Sequence, residues 1–422
     1  MDKIKTTKHN KQSYWIITYG CQMNKSDSER IASFLQSQNF KKAKNKKTAD
    51  LIIINACSVR QSAVDRVYGQ INQIKKNEKK QKIYLTGCLT EKDKQVLQPK
   101  VDLIFNIKEL STICGGEKID TYFKIPPLPN NSVSVFVPIS TGCDNFCSYC
   151  VVPYTRGREY HRPAEEILKE VEMFIKRGFK EIILLGQNVN SYHYKNIDFT
   201  DLLQLIENIP GNFWITFLTN HPKDLSEKLI DYVAKSKKVC PYFHLPVQSG
   251  DNKILKLMNR HYTVKKYIKQ VKKLRKKIKD VCISTDIIVG IPTETTSQFK
   301  NTAKLMKKLK FDMAYIAQYS PRPQTALSKV KDDIPKKEKQ KREQELVKIL
   351  EKTALENNKK YLGKTKVALI TKYEKGYLFG HLKNQKQIKI PSKKDLTGEM
   401  VKVKIIQANP YSLKGELIYD KK

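Results

Sequence analysis

Ser140-Thr-Gly-Cys-Asp-Asn-Phe-Cys-Ser-Tyr-Cys150 sets Cys143, Cys147 and Cys150 in a C-x3-C-x2-C loop directly after a β-rich run at 133–137. That spacing wraps three thiolates around one iron-sulfur cluster and leaves its fourth iron without a protein ligand. A vacant iron can bind and reduce a substrate, whereas a fully ligated cluster mainly passes electrons. Structural zinc is the competing use of close cysteines, and zinc prefers paired C-x2-C units with two further ligands. The loop holds no His and no second C-x2-C pair occurs elsewhere, so the zinc and disulfide readings fit poorly.

Outward from this loop the pattern alternates strand and helix. Strands are expected at 133–137, 181–185, 214–218, 239–244, 283–289 and 313–319, with helices between them, the first opening at Pro163. Six such units suggest an α/β core built as a (βα)6 partial barrel, whose sites gather at the carboxyl ends of the strands. Gly186-Gln-Asn188, Gln248-Ser-Gly250 and Gly290-Ile-Pro292 follow later strands at that rim, although each alone also reads as an ordinary βα turn.

Upstream, strands expected at 14–18, 51–54 and 82–86 alternate with helices at 26–40 and 59–75, the first opened by a Ser-x-x-Glu cap of Ser26 and Glu29. Such alternation implies a parallel sheet with right-handed crossovers. Cys21, Cys57 and Cys88 each follow one of these strands, in Tyr19-Gly-Cys, Asn55-Ala-Cys and Thr86-Gly-Cys. Parallel strands deliver their carboxyl ends to one sheet edge, so three cysteines distant in sequence converge in space. Small residues precede them (Gly20, Ala56 and Gly87) and let backbone approach an inorganic cluster. One strand-end Cys is commonly just buried; three at equivalent positions read as a second metal cluster. Cys240 and Cys282, in barrel strands, and Cys114, in a Cys-Gly-Gly turn, are read as packing residues. His221 and His244 lie near strand ends, within reach of the pocket.

Beyond a Lys/Glu-rich helix at 335–358, short strands at 366–370, 377–381, 386–390, 400–406 and 414–419 are spaced by Gly, Asn and Ser turns. This suggests a small OB-like β-barrel. Its Lys and Tyr residues suit single-stranded or looped RNA, against the plainer reading of a barrel without RNA contact.

Lys and Arg number 80 against 42 Asp and Glu, a formal charge of +38 that favours a polyanion such as tRNA. An AT-biased genome would also inflate Lys on solvated faces. The segment 264–279 fits both, with Val264, Tyr267, Val271, Leu274 and Ile278 at helical spacing among lysines. The longest apolar runs are strand-length, the first residues carry no apolar signal segment, and nine cysteines suit a reducing compartment, so the expectation is a soluble cytoplasmic protein with no membrane contact.

Tyr19-Gly-Cys-Gln-Met-Asn24 with Asp27-Ser-Glu29, the run from Cys143 to Arg158, Leu185-Gly-Gln-Asn-Val-Asn190, Leu245-Pro-Val-Gln-Ser-Gly250 and Tyr319-Ser-Pro-Arg-Pro323 together resemble the methylthiotransferase family. The resemblance covers nearly the whole chain. Gln22-Met-Asn24 is similar to the tRNA isopentenyladenosine branch, where the threonylcarbamoyl-adenosine branch tends to have Lys-Val-Asn and the ribosomal-protein branch Pro-Lys-Asn. Leu218 and Asn220 stand where Thr and Ser are common, and Thr293 replaces a usual Gly.

The resemblance implies an N-terminal methylthiotransferase domain at 11–128, a radical S-adenosylmethionine (SAM) core at 129–357 and a TRAM RNA-binding domain at 360–422. It implies two 4Fe-4S clusters, one on Cys143, Cys147 and Cys150 with the SAM amino and carboxylate groups on its open iron, and an auxiliary one on Cys21, Cys57 and Cys88. Tyr149 is then placed to contact the SAM adenine, and Gln187, Asn188, Gln248 and Gly290 to line the SAM site. The implied reaction adds a methylthio group to carbon 2 of N6-isopentenyladenosine at position 37, beside the tRNA anticodon. The implied partners are the anticodon stem-loop and a reducing electron donor, with the chain working as a monomer. The alternatives are methylthiolation of threonylcarbamoyl-adenosine or of a ribosomal-protein aspartate, and an RNA-binding iron-sulfur protein without transferase activity.

Overall fold

Every residue of strand Leu51–Cys57 is buried, which puts it in the middle of a sheet covered on both faces. It pairs in parallel with Ser13–Thr18 and Lys82–Cys88, and the two-residue strands Lys41–Lys42 and Leu103–Ile104 finish the edges. Alternate side chains feed two cores: Leu51 and Ile53 pack with Ile31 and Leu35 of helix Gln22–Ser37, while Ile52 and Ile54 pack with Val67 and Ile71 of helix Gln61–Lys75. The computed structural model describes residues 12–59, 61–77, 80–113 and 121–418, so Cys114 lies outside the described residues.

The helix expected from Ser26 begins instead at Gln22, with Cys21 as its N-cap residue and Ser26 and Glu29 buried within it. Gly20, at φ +106°, turns the chain out of the first strand at once, so the helix is under way before the Ser-x-x-Glu pattern is reached.

In the centre, Ser134–Pro138, Glu181–Leu185 and Trp214–Phe217 form one parallel set and Tyr242–His244, Cys282–Val289 and Met313–Gln318 another. A parallel bridge between Ile215 and Val239 joins the two sets into a (βα)6 partial barrel. One face of each strand packs under the surrounding helices, as Val137, Leu184, Phe217, Phe243 and Ile287 do. The alternating residues face the lumen and include the polar Glu181, Thr216, His244, Ser284 and Asp286. Cys240 and Cys282 are buried. Helix Val264–Lys277 buries Tyr267, Val271 and Leu274 and turns its lysines outward.

Thr365–Glu374, Tyr377–Leu382, Gln387–Pro391, Met400–Ala408 and Leu413–Leu417 close a five-stranded barrel around Ala368, Ile370, Leu378, Ile390 and Val403. A tight turn between two of its strands enters the amino-terminal mouth of the central barrel. Gln385 Nε2 donates to Glu181 Oε1 (2.8 Å) and Thr216 Oγ1 (3.0 Å), Asn384 Nδ2 to the Asp280 carbonyl (2.8 Å), and Lys386 Nζ to Asp312 Oδ1 (2.7 Å). This barrel stoppers the end opposite the cysteine loop. The N-terminal sheet docks elsewhere, where buried Arg30 and Arg162 share Glu170 (2.6 and 2.7 Å) and both lie over the Phe123 ring.

Candidate two-cluster redox site

Cys57 and Cys88 end neighbouring strands as direct register partners, and Cys21 caps the helix that follows the third strand. The three expected strand-end cysteines therefore meet at one sheet edge. Gly20 is required there, because a Cβ would lie 2.7 Å from Cys57 Cβ and 3.1 Å from its Sγ. Asn24 sits between the thiols: its Oδ1 is 3.6 Å from Cys21 Sγ and 3.7 Å from Cys88 Sγ, while its Nδ2 donates to Asn55 Oδ1 (3.1 Å) and the Ala56 carbonyl (2.8 Å). Asn55 returns a bond to the Asn24 carbonyl (2.8 Å). A buried polar pair at the end of an apolar strand is explained by holding these sulfurs in place.

The second triad hangs on the loop after the first barrel strand. Gly142 (φ +82°) lets that loop close against Arg158 and Gly157, and Cys143 N donates to the Gly157 carbonyl (3.2 Å). The turn after helix Asn252–Leu257 clamps it from outside, with Ser148 Oγ donating to the Leu257 carbonyl (2.7 Å) and Asn259 Nδ2 to the Phe146 carbonyl (2.9 Å). Asn145 Nδ2 donates to Cys143 Sγ (3.3 Å).

Each triad carries one buried guanidinium. Arg260 donates to Cys147 Sγ (3.4 Å) and to the Pro246 carbonyl (2.8 Å). Arg156, at the end of helix Val152–Arg156 that follows the cysteine loop, donates from Nε to Cys88 Sγ (3.0 Å). Burial pushes the Cys88 and Cys150 thiols up to about 12, against the opposing pull of Arg156 and Arg260, and burial raises Cys143 as well. Metal coordination reverses this by holding the sulfurs as thiolates. Among the described residues no three His, Cys, Asp or Glu side chains gather as ligands of a single ion, whereas a cluster takes its thiolates on separate irons.

The rim around the second triad is unfinished in a specific way. Ser140 Oγ, Asn145 Oδ1, Gln187 Oε1, Asn220 Oδ1, His221 Nε2 and Gln248 Oε1 are buried polar atoms without a protein partner. All lie at the carboxyl ends of barrel strands or in the cysteine loop. Buried polar groups are ordinarily bonded, so this set fits a polar ligand such as SAM. Burial, with Arg260 nearby, brings the His221 imidazole down to about 2 and keeps it neutral.

Tyr149 packs against Ile254, Met258, Ile291, Tyr319 and Leu327. Asn188 is engaged within the rim, donating to Asp224 Oδ2 (2.7 Å) and accepting from His221 N (3.0 Å), and Gly290 N donates to Glu294 Oε2 (2.8 Å) beneath the Lys339 stem. His244 reaches Ser284 Oγ (2.9 Å) and Asp286 Oδ2 (3.3 Å) in the lumen. Strain collects here too: Phe146, Thr219, Gln248, Thr293 and Gln324, all at this rim, have φ between +43° and +71°. Left-handed non-glycine residues of this kind cluster at functional sites.

A partial barrel with a three-cysteine loop after its first strand is the architecture of a radical SAM protein, and residues 137–306 match the Radical SAM superfamily. Residues 13–106 match the Uncharacterized protein family UPF0004 and residues 359–418 the TRAM domain. Proteins named tRNA-2-methylthio-N(6)-dimethylallyladenosine synthase align end to end. That of Clostridium botulinum is 39% identical over 96% of this chain and 97% of its own, and that of Carboxydothermus hydrogenoformans 40% identical over 96% and 99%. The chain belongs to this family of synthases, the methylthiotransferases that its motifs resemble. Among solved structures, the radical SAM methyltransferase TsrM of Kitasatospora setae shares the fold, with a TM-score of 0.55 at 11% identity over 76% of this chain and 74% of that one.

Proposed function

We propose that this chain adds a methylthio group to carbon 2 of N6-isopentenyladenosine at position 37 of tRNA. The observation that carries the reading is the bond from Arg156, six residues past Cys150, to Cys88: two cysteine triads from separate domains face one junction. The ring C–H bond is unactivated, so no acid or base can remove its hydrogen, and a carbon radical can.

In this reading residues 129–357 hold a 4Fe-4S cluster on Cys143, Cys147 and Cys150, and residues 11–128 hold the auxiliary cluster on Cys21, Cys57 and Cys88. Bound there, the two clusters and SAM supply one-electron cleavage and sulfur donation, while the protein supplies position and a dry, shaped site. Gln187 and Gln248 offer unpaired oxygens to SAM and Tyr149 an apolar wall; Asn188 and Gly290 hold the rim in shape. Residues 360–422 engage the anticodon stem-loop. Because one chain carries both triads, a monomer suffices, fed by an external one-electron reductant. Among the described residues no helix is long and apolar enough to cross a membrane.

The test is mass spectrometry of tRNA nucleosides and of SAM products from reconstituted variants. Cys147→Ala should form neither 5′-deoxyadenosine nor the methylthio nucleoside, and Cys57→Ala should still cleave SAM while making no methylthio product. Methylthiolation by Cys57→Ala, or by the intact chain on threonylcarbamoyl-adenosine alone, contradicts the reading.

A further inference from the structure

Arg156 belongs by sequence to the helix behind the second triad, yet its side chain bonds strand Lys82–Cys88 and helix Gln22–Ser37 near the N-terminus. Nε donates to Cys88 Sγ (3.0 Å), and one terminal nitrogen donates to Asn24 Oδ1 (2.9 Å) and Asp27 Oδ2 (2.8 Å). The ion pair with Asp27 is buried, with side-chain exposures of 8% and 3%. Asn24 is the residue both Cys21 and Cys88 point at, so one guanidinium reaches Cys88 directly and Cys21 through Asn24. Arg158, two residues on, is exposed on Asp144, so basic residues in this stretch do not share the arrangement.

We infer that Arg156 is the positioning residue of the auxiliary centre, setting its distance from the other triad and raising its reduction potential through the bond to the Cys88 sulfur. The inference rests on the proposed assignment of Cys21, Cys57 and Cys88 to that centre. Hydrogen bonds to ligating sulfurs and nearby positive charge draw electron density away and favour the reduced state. Asp27 opposes this, but its effect on Cys88 is smaller than that of Arg156, which alone of the two bonds the sulfur. The direction is chemically useful. A thiolate sulfur bonding to a carbon radical brings two electrons where the new bond lacks one, and the surplus electron stays on the metal centre it leaves.

Arg322 supplies the control. It crosses the same junction to Gln61 Oε1 (2.5 Å) and Asp93 Oδ2 (3.5 Å), and none of its hydrogen bonds reaches a sulfur. The experiment is a redox titration followed by electron paramagnetic resonance on the full-length chain with Cys143→Ala, Cys147→Ala and Cys150→Ala, leaving the auxiliary centre alone. Arg156→Gln should shift the reduction equilibrium at least tenfold toward the oxidised form, about 59 mV lower for one electron. Arg156→Lys, which keeps the charge, should recover part of the shift, and Arg322→Gln should leave it unmoved.

An unchanged potential in Arg156→Gln overturns the inference, as does an equal shift in Arg322→Gln, which would make loosening of the junction the cause. If Arg156→Gln assembles no cluster, Arg156→Lys decides: a potential below the parent's supports the inference and an identical one overturns it. A parent background without iron overturns the assignment of the three cysteines itself, and the inference with it.

Discussion

Gly87 holds its strand end at φ +105°, where a Cβ would press on the Ala56 carbonyl oxygen and the Asn55 amide. Gly87→Ala strains the backbone and the Asn24–Asn55 pair together, so we expect a loss of about 2–4 kcal/mol in stability. Chemical denaturation should register it, alongside depleted iron at the N-terminal centre. Thr293 is the opposite case. At φ +69°, with its N–H bonded to Asp333 (2.8 Å), it occupies a left-handed position where the family pattern has Gly. Thr293→Gly keeps that bond and should stabilise the chain by up to about 1 kcal/mol; a lower denaturation midpoint would count against strain at this turn.

The meeting of Cys21, Cys57 and Cys88 at one sheet edge was legible because they recur at strand ends, and the Cys143, Cys147 and Cys150 loop because its spacing is local. Arg156 and Arg260 were not, since their sulfur partners lie 68 and 113 residues away and meet them only once the domains and loops have packed. A faint signal existed in Asn55, a polar residue in the fully buried strand Leu51–Cys57.

At the scale of elements, the turn after Tyr377–Leu382 is more than a connection. Burial alone would push the Glu181 carboxyl up, yet His381, Thr216 and Ser134 hold it down at about 2; burial also opposes charge on His381, and Glu181 outweighs it and raises the imidazole. The Glu181 contribution is present above its ordinary value of 4.5 and lost as pH falls toward 2. The His381 contribution is complete below its ordinary 6.5 and lost as pH rises through its raised value. Docking of the C-terminal barrel should thus be tightest between these two values and weaken in alkali, and His381→Gln should flatten the alkaline fall in melting temperature. An unaltered alkaline fall in that variant would exclude the pair as its origin.

The barrel as a β-fold was readable from its evenly spaced strands; its role as a stopper was not, because Glu181 and Gln385 are 204 residues apart. The stopper also decides how RNA binding is tested, since removing the barrel would uncover Glu181. Lys389 lies 3.7 Å above the exposed Tyr377 ring, and Lys389→Ala should lower tRNA affinity and reduce the salt slope by about one. Unchanged affinity and slope would remove this face from the RNA site.

Across the whole molecule, domain packing brings the segment behind the second cysteine triad onto the first, through the bond from Arg156 to Cys88. Glu170 carries much of that packing, because Arg30, from helix Gln22–Ser37 on the N-terminal sheet, and Arg162 from the core share its carboxylate in a buried setting. Glu170→Ala removes the carboxylate from buried Arg30 and leaves Arg162 only the more distant Glu166 (4.0 Å), and should cost about 3–5 kcal/mol, seen as separated unfolding of the N-terminal sheet and the core. A single unshifted transition would mean the domains are held by other contacts.

The central claim, that each triad binds its own cluster, is tested most directly by counting iron and sulfide in anaerobically reconstituted protein. The intact chain should hold about eight irons, and about four should remain when either triad is replaced by alanine. Zinc in place of iron, or an iron count indifferent to the loss of Cys21, Cys57 and Cys88, would contradict it.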